Sequence, residues 1–362
     1  MGKSAVKGLF YRCLIMATFA LAAVTLTASF SGKYAPTEST VMPLLGLALP
    51  VLLIVNTAVA LCWAFARKYW AWVPLAAILC NWGYLTAIFQ YNGTKERTPG
   101  KYLKIATYNV HSFGNEITGY SCKELARYMQ QEEVDVLCFQ EFGDNRYFPM
   151  DSLRQVLAHW QYAHISTEDT LRGILPIAVF SRYPLANCRL ITYTGSANCS
   201  LVCDVAMGTD TIRLLNNHLQ TTSISQNRRK WEREFATDNT RREVRAAQEA
   251  ASTLHENFLK RAVQTDNICR LAADSPHPVL VCGDFNTLPS SYTYARMSRL
   301  LSDGFRTCGN GYMYTYRYFK RLLRIDYIFH SPQLRGHRYY SPDLDLCSDH
   351  NPVIMEVKIK DA

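Results

Sequence analysis

The sequence predicts an α/β domain preceded by a helical membrane region, and three features of the chain support this prediction. Long apolar stretches without acidic residues occupy most of the first 91 positions. After position 100, short apolar runs alternate with helical patterns, and polar side chains follow several of those runs directly. A chain of 362 residues is long enough for a membrane segment and one folded domain.

The three apolar stretches lie at about residues 8–30, 41–66 and 69–90, and each predicts a transmembrane helix. Each approaches or exceeds the roughly 20 residues that a spanning helix needs. Trp63 and Trp70 lie near the junction of the second and third stretches, as interfacial aromatic residues do. A pair of buried core helices is the alternative, which three successive stretches disfavour. We therefore expect a transmembrane region over 1–91, a polar linker over 92–100 and a folded domain over 101–362.

Most of the net positive charge belongs to the membrane region. The first 100 residues carry eight Lys or Arg and two acids, whereas the remaining 262 carry 31 Lys or Arg and 28 acids. The later part therefore contributes only +3 of the net charge of +9. A domain that binds long duplex DNA usually has a clearer basic excess, so the charge disfavours that partner while leaving a local basic patch open.

Arg67 and Lys68 form a very short loop between the second and third apolar stretches. Short basic loops favour the cytoplasmic side of a membrane. Three crossings then place the folded domain on the extracytoplasmic side of the plasma (inner) membrane. The first stretch also fits a cleaved signal peptide, because a basic start precedes its apolar core. Two crossings from an outside terminus lead to the same side.

The chain contains twelve cysteines, without a CxxC pair or a spacing to histidine that is typical of a metal site. Cys138 and Cys282 lie inside apolar runs and are predicted to be small core residues. Two interpretations stay open for Cys188, Cys199 and Cys203. They are free thiols or, if the domain faces an oxidising compartment, members of a disulfide.

After the linker, the apolar runs predict strands separated by helices. The clearest helix pattern covers residues 241–263, where apolar side chains recur every three or four positions. This alternation is typical of an α/β domain with helices covering its sheets. The predicted strands lie at about 103–110, 134–139, 174–180, 200–206, 211–215, 279–282, 325–330 and 353–359, and the other helices at 123–133 and 152–160.

Polar residues gather at the carboxyl ends of several predicted strands, within the strand at 325–330 and just before the last strand. Strands hold side chains rigidly at that edge, while the following loops leave space for a ligand. Taken singly, each residue is more typical of a turn, a cap or a local hydrogen bond than of a site. The residues are Asn109, Glu141, Asn217, His218, Asp284, Asn286, Asp326, Asp349 and His350.

Seven segments of the chain resemble the endonuclease/exonuclease/phosphatase superfamily, the DNase I-like enzymes. The resemblance covers nearly all of residues 101–362 and keeps the family's order. It implies a four-layer α/β sandwich after the helical transmembrane region, and hydrolysis of a phosphate ester with Mg²⁺, Mn²⁺ being the alternative ion. The segments are ATYNVHSFG, DVLCFQEF, GILPIAVFSRYPL, LLNNHLQ, VLVCGDFNTLP, RIDYIF and CSDHNPV.

The resemblance implies a metal site made of few carboxylates. Glu141 looks like the main metal ligand, assisted by Asn109, and Asp349 would help to hold metal or phosphate. Mg²⁺ prefers oxygen ligands and keeps several waters, so one or two carboxylates suffice. His111 stands where some relatives carry a carboxylate, which leaves a second acidic ligand in doubt.

The resemblance also implies catalytic roles. Asp284 and Asn286 resemble the pair that positions the attacking water and the scissile phosphate. His350 would contact the phosphate or move a proton, with Asp326 orienting its imidazole. His218 resembles a second histidine that faces the phosphate.

Two basic regions remain open to more than one interpretation. Residues 226–245 form a solvated helix face with internal ion pairs, or a surface for anionic lipid headgroups or a polyanionic substrate. Arg321 and Arg324 follow alternating aromatic residues and are predicted to bind substrate. The alternative is that the tyrosines between 312 and 318 form one face of a strand.

Together these features predict a membrane-anchored, divalent-metal-dependent phosphoesterase. Its expected partners are the lipid bilayer and a phosphodiester substrate, either nucleic acid or a phospholipid headgroup. No sequence feature identifies a protein partner. The competing prediction is a non-catalytic membrane receptor or regulatory module that uses the same fold to bind phosphorylated ligands. The set of strand-end residues argues against that alternative, because a degenerate copy is expected to lose at least one of them.

Overall fold

A computed structural model of the protein describes residues 3–93, 95–166, 173–222 and 240–360. The chain divides into two compact units. One unit comprises Met1–Ala87 together with Leu288–Ala295, and the other comprises Ile88–Thr287 and Arg296–Ala362.

The first unit is built from apolar helices. Within the described residues, the segments Val6–Lys33 and Val41–Phe65 are each long and apolar enough to cross a membrane. A third crossing is present if a bent pair of shorter helices counts as one span. The helices are α1 (Lys3–Ala28), α2 (Val41–Phe65), α3 (Trp72–Cys80) and α4 (Trp82–Ile88).

The third apolar stretch departs from the predicted continuous helix over 69–90. Helices α3 and α4 bend by 64° at Asn81, and strand β1 (Phe89–Tyr91) follows α4 directly. The Asn81 backbone leaves the helical region, with φ −92° and ψ 24°. Its side-chain Nδ2 donates to the Ala77 carbonyl at 2.9 Å. Such local side-chain bonds compete with the helical pattern, which explains the break.

Polar side chains inside this unit link α1 to α2. The Asn56 Nδ2 donates to Thr25 Oγ1 at 2.7 Å, and the Trp63 Nε1 donates to Thr18 Oγ1 at 3.0 Å. The outward side chains are largely apolar; Phe65, for example, is exposed. Hydrogen bonds between helices with apolar side chains outside are typical of helices that pack within a bilayer.

The second unit contains two six-stranded mixed sheets and a short two-stranded ribbon. The first sheet has the order β13-β14-β2-β3-β5-β4, the second has the order β10-β12-β9-β8-β7-β6, and β1 pairs with β11 in the ribbon. The strands are β2 (Tyr102–Asn109), β3 (Val136–Gln140), β4 (Tyr162–Ile165), β5 (Ile177–Ser181), β6 (Leu185–Thr192), β7 (Cys199–Met207), β8 (Asp210–His218), β9 (Val279–Asp284), β10 (Ser302–Asp303), β11 (Asn310–Tyr312), β12 (Asp326–His330), β13 (Leu334–Tyr340) and β14 (Val353–Ile359).

The inner faces of the two sheets share one apolar core, to which Cys138 of β3 and Cys282 of β9 both belong. On the outer face of the first sheet, helix α5 (Tyr120–Gln131) buries Leu125 and Met129 in a second core. Helix α7 (Thr240–Ala273) contacts β8 of the second sheet. The predicted four-layer α/β sandwich is confirmed. The remaining helices are α6 (Met150–Val156), α8 (Tyr292–Ser298) and α9 (Gly304–Cys308).

Each sheet contains a parallel pair of strands near its centre, β2–β3 in the first sheet and β8–β9 in the second. The last residues of these strands are polar, and they meet between the sheets. The buried Gln140 at the end of β3 donates through Nε2 to Asn216 Oδ1 of β8 at 2.6 Å. This bond joins the two sheets beside the ends of their parallel strands, where the candidate site lies.

Candidate active site

Strand β9 ends at Gly283 and the fully buried Asp284. Gly283 has a φ of +133°, and a Cβ there would lie 1.9 Å from the Asn217 carbonyl oxygen of β8. Only glycine allows this close approach of the two parallel strands. Asn286 follows with a φ of 50°; its backbone N–H donates to Asp284 Oδ1 at 2.8 Å, and its Nδ2 to Asp284 Oδ2 at 3.2 Å. The turn therefore fixes the Asp284 carboxylate.

Glu141 leaves β3 with a φ of 52°, a backbone conformation that non-glycine residues seldom adopt outside functional sites. The side chain of Asn109 donates through Nδ2 to Glu141 Oε1 at 3.2 Å and to Asp284 Oδ2 at 3.1 Å. One amide thus connects a carboxylate from each sheet. Glu141 is half-buried, so one side of its carboxylate remains open to a ligand.

His218 ends β8 and lies between the same two carboxylates. Its Nε2 is 3.7 Å from Glu141 Oε1 and 3.7 Å from Asp284 Oδ2. The ring is buried, and within the described residues its Nδ1 has no hydrogen-bond partner. The imidazole therefore faces the acidic centre of the site.

A second imidazole, that of His350 in the loop before β14, also lies close to Asp284. His350 Nδ1 lies 2.9 Å from Asp326 Oδ2, and its Nε2 lies 3.7 Å from Asp284 Oδ2. Asp326 starts β12 and pairs with Asp284 in the β12–β9 register, which places the three side chains together. Asp326 holds the ring from one side, so that Nε2 points to Asp284.

Asp349 lies at the edge of this cluster. Its Oδ1 is 3.9 Å from His350 Nε2, and its carbonyl accepts from the Arg317 N–H at 2.8 Å. The Arg317 guanidinium also donates through Nη1 to the Leu346 carbonyl at 2.7 Å. Arg317 therefore ties down the loop that carries Asp349 and His350, without itself entering the acidic centre.

The charges of the site shift the pKa values of its members. Burial would by itself raise the pKa of Glu141, but the bond to His111 and the charge of His218 outweigh it and lower the pKa to about 2. Burial raises the pKa of Asp284 above the usual carboxyl value. Burial would lower the pKa of His350, but the neighbouring Asp326 and Asp284 raise it to about 10. The site therefore holds an ionised Glu141 beside Asp284, whose protonated form is favoured by burial, and His350, whose charged form is favoured by the neighbouring carboxylates.

The chemistry of these side chains fits a hard divalent cation. Glu141 is ionised and partly open, and its neighbours are an amide and imidazoles rather than lysine or arginine. Donor atoms of Asp284, Asp326 and His350 also lie within 4.8 Å of one another. Oxygen-rich sites with one or two carboxylates are the kind that Mg²⁺ or Mn²⁺ occupies in proteins. A divalent-metal site therefore suits the residues that are present.

The two arginines predicted to bind substrate differ. Arg324 is fully buried and donates to both carboxylate oxygens of Asp303, at 2.7 and 2.6 Å. The guanidinium of Arg324 is therefore enclosed by the fold, and its expected role in substrate binding stays a prediction. Arg321 is exposed and lies 3.2 Å from Asp343.

The structure decides between the two interpretations of the tyrosine segment, but it describes only part of the basic region at 226–245. Tyr312 lies in strand β11, whereas Tyr316 is buried against His350, with 5.1 Å between ring centroids. A single strand face of tyrosines is therefore not formed. In the other basic region, residues 223–239 lie outside the described residues, and Arg245 pairs with Glu249 at 3.3 Å.

Sequence reasoning missed several residues that shape the site. His111 departs from the family pattern, yet its Nδ1 lies 3.2 Å from Glu141 Oε2. Thr315 Oγ1 accepts from the Asp326 N–H at 3.1 Å, and Ser348 Oγ donates to the Asn109 carbonyl at 2.6 Å. The position of His111, two residues after Asn109, is the sequence signal that could have identified His111 as a site residue. Nothing local in the sequence marks the other two.

Two packed mixed sheets with carboxylates and imidazoles gathered at the ends of their parallel strands define a DNase I-like phosphoesterase. The model of the Endonuclease/Exonuclease/phosphatase family matches residues 106–350, which is more than half of the chain. The chain therefore belongs to this family, as its motifs predicted, and is a hydrolase that acts on phosphate ester bonds. Residues 11–88 match a separate family described as a domain of unknown function, DUF8431.

The chain is similar to several solved structures at low sequence identity. An endonuclease/exonuclease/phosphatase from Beutenbergia cavernae is 16% identical, with a TM-score of 0.50 and 72% of each chain covered. A family member from Leptotrichia buccalis is 19% identical, with a TM-score of 0.49, over 72% of this chain and 100% of that one. Truncated TDP2 from Caenorhabditis elegans is 16% identical, with a TM-score of 0.48, over 71% of this chain and 98% of that one. No curated protein matches the sequence.

Proposed function

We propose that this protein is a membrane-anchored, divalent-metal-dependent phosphodiesterase. In this proposal residues 1–91 anchor the chain, 92–100 link it and 101–362 form the catalytic domain. The observation that carries the proposal is the convergence of Asn109 and Glu141 from one sheet with His218 and Asp284 from the other. Contacts of 3.1–3.7 Å join these four side chains.

The proposed metal ligands are Glu141, Asn109 and Asp349, and Mg²⁺ is the proposed ion, with Mn²⁺ as the alternative. When bound, such an ion would polarise the phosphate and neutralise charge on its oxygens. The low pKa of Glu141 keeps its carboxylate ionised at neutral pH, as a ligand must be. The half-buried position of Glu141 leaves access from solvent.

The remaining residues supply proton transfer and charge stabilisation. Asp284 has a raised pKa and is held by the Asn286 turn, which suits a base that orients an attacking water. His350 is fixed by Asp326 and keeps its positive charge, so it can stabilise charge that develops on the phosphate. His218 faces the same centre from β8.

The apolar helices support the membrane anchor. Two described helices are long and apolar enough to cross a bilayer, and the short basic loop at Arg67 and Lys68 favours a cytoplasmic position for that loop. The proposed location of the catalytic domain is therefore the extracytoplasmic side of the plasma (inner) membrane. A phospholipid headgroup and a nucleic acid are the two proposed substrate classes, and the steep salt dependence of nucleic-acid binding distinguishes them.

The test is hydrolysis of bis(p-nitrophenyl) phosphate by the purified full-length protein. We expect activity with Mg²⁺ or Mn²⁺ that EDTA abolishes. Asp284→Asn keeps the shape of the side chain but removes its charge, and we expect a loss of about 10²-fold to 10⁴-fold in kcat/KM.

The matched control is Asp266→Asn on helix α7, where the carboxylate forms an exposed pair with Arg296 at 3.0 Å. This variant should keep the activity of the unmodified protein. Full activity of Asp284→Asn, or activity that persists in EDTA, would rule out the proposed metal-dependent site.

A further inference from the structure

Five exposed aromatic side chains, here called the aromatic ribbon, lie on strands β1 and β11 and in the loop that follows β11 in the second unit. Two of them lie on β1 and one on β11, where Phe89 pairs directly with Tyr312. The other two follow in the loop after β11. The members are Phe89, Tyr91, Tyr312, Tyr318 and Phe319, with exposed fractions of 59%, 88%, 45%, 59% and 49%.

The aromatic ribbon is held in place rather than merely exposed. The Met313 N–H donates to the Ile88 carbonyl at 2.8 Å, which extends the β1–β11 pairing. The Tyr312 hydroxyl donates to the Arg321 carbonyl at 3.1 Å and so closes the loop. Monomeric soluble proteins seldom keep several large apolar side chains exposed together without a binding partner.

The aromatic ribbon reaches the candidate site through one buried ring. Tyr316 lies 5.1 Å from the His350 ring, between centroids. On its other side, Tyr318 lies 5.7 Å and Phe319 lies 6.3 Å from Tyr316. The aromatic ribbon is therefore on the rim of the site, one side chain away from a proposed catalytic histidine.

The connectivity of the chain indicates what covers the aromatic ribbon. Helix α4 ends at Ile88 and β1 begins at Phe89, so no linker separates the last apolar helix from the ribbon. If α3 and α4 lie in the bilayer, as their apolar composition favours, β1 starts at the membrane surface. Tyrosine and other amphipathic aromatic side chains concentrate at that depth.

The charges beside the aromatic ribbon fit the same partner. Lys320 and Arg321 are exposed and follow Phe319 directly. Basic residues near a membrane surface are attracted to anionic lipids. Aromatic rings with flanking cations are the combination that binds the headgroup layer.

We infer that the aromatic ribbon docks onto the headgroup layer of the bilayer and holds the rim of the candidate site against it. The consequence for substrate rests on the proposed function: a phosphodiesterase placed in this way takes a phosphodiester that is presented at the membrane surface. Stacking on the bases of a nucleic acid is the competing use of the same rings.

The experiment uses full-length protein reconstituted in vesicles of phosphatidylcholine and phosphatidylglycerol that contain a lipid with a photoactivatable diazirine near its glycerol backbone. After illumination, cross-linked peptides are mapped by mass spectrometry. We expect lipid adducts on residues 89–91 and 318–319, at least several-fold above the level on β4. The control residue is Tyr162 of β4, an exposed tyrosine near the amino end of β3, at the opposite end of the sheet from Glu141.

Adducts confined to residues 3–88 would overturn the inference. So would displacement of the adducts on Tyr318 and Phe319 by a single-stranded oligonucleotide, which would assign the rings to nucleic acid. In vesicles that contain anionic lipid, Lys320→Glu should lower labelling of Phe319 several-fold. Unchanged labelling would contradict the inferred attraction between Lys320 and anionic headgroups. Hydrolysis of bis(p-nitrophenyl) phosphate is measured on the same sample, so loss of the proposed function and loss of docking are separate results.

Discussion

The strand ends of the site and the loop between β11 and β12 use charge in different ways. At the strand ends, Asp284 is buried among amide and imidazole groups, and no residue in the described part of the chain forms a bidentate ion pair with it. In the loop, Arg324 is equally buried but forms two bonds with Asp303, while Arg321 three positions earlier is exposed. The difference teaches that a buried charge bound directly by a matching opposite charge supports the fold, whereas one bound by amide donors, with imidazoles 3.7 Å away, remains available for chemistry.

The largest expected effect comes from removing the buried ion pair between Arg324 and Asp303, which tests whether this pair supports the fold. Arg324→Leu leaves Asp303 charged and buried without its partner, which destabilises proteins by about 3–5 kcal/mol. The Arg324 guanidinium also lies 4.6 Å from the centre of the Tyr327 ring and 5.0 Å from that of Phe305. Urea unfolding of the full-length protein in detergent, followed by circular dichroism, measures the change. A loss below about 1 kcal/mol would place Arg324 outside the set of residues that hold the fold.

A smaller effect is expected at the strand ends, where the charge of Glu141 is tested for metal binding. Glu141→Gln keeps the bond with Asn109 but removes the ionised carboxylate, and we expect Mn²⁺ affinity to fall at least about 10-fold. Isothermal titration of the full-length protein with Mn²⁺ reads binding without any substrate. Glu124→Gln on helix α5, where the carboxylate pairs with Arg127, is the control and should bind Mn²⁺ normally. Unchanged affinity of Glu141→Gln would move the ion to the cluster of Asp284, Asp326 and His350.

The parts of the site that were predictable lie at the ends of apolar strands. Asn109, His218 and Asp284 each close a run whose pattern identifies a buried strand, so the sequence determines both the strand and the residue that leaves it. Parallel neighbours end at the same edge of a sheet, which brings such residues together. The resemblance to the family also predicted that two sheets pack against each other. The periodicity of apolar residues alone does not predict this packing.

The parts that were not predictable depend on contacts between distant segments. Arg324 looks like its exposed neighbour Arg321 in sequence, and only the position of Asp303, 21 residues away, explains its burial. Thr315 and Ser348 are small polar residues of a kind that is common in loops, and their bonds to Asp326 and Asn109 follow from packing. The break at Asn81 was equally hidden, because an asparagine within an apolar stretch does not by itself end a helix.

The smallest expected effect sharpens the comparison within the loop itself. Arg321→Leu removes an exposed guanidinium whose pair with Asp343 spans 3.2 Å, and exposed pairs contribute about 0–1 kcal/mol to stability. The same urea unfolding should therefore show a change below about 1 kcal/mol. If Arg321 contacts substrate, Arg321→Leu should also raise the KM for bis(p-nitrophenyl) phosphate several-fold and leave kcat unchanged. A destabilisation as large as that of Arg324→Leu would mean that burial does not separate the two arginines, and the distinction between structural and available charge would fail in this loop.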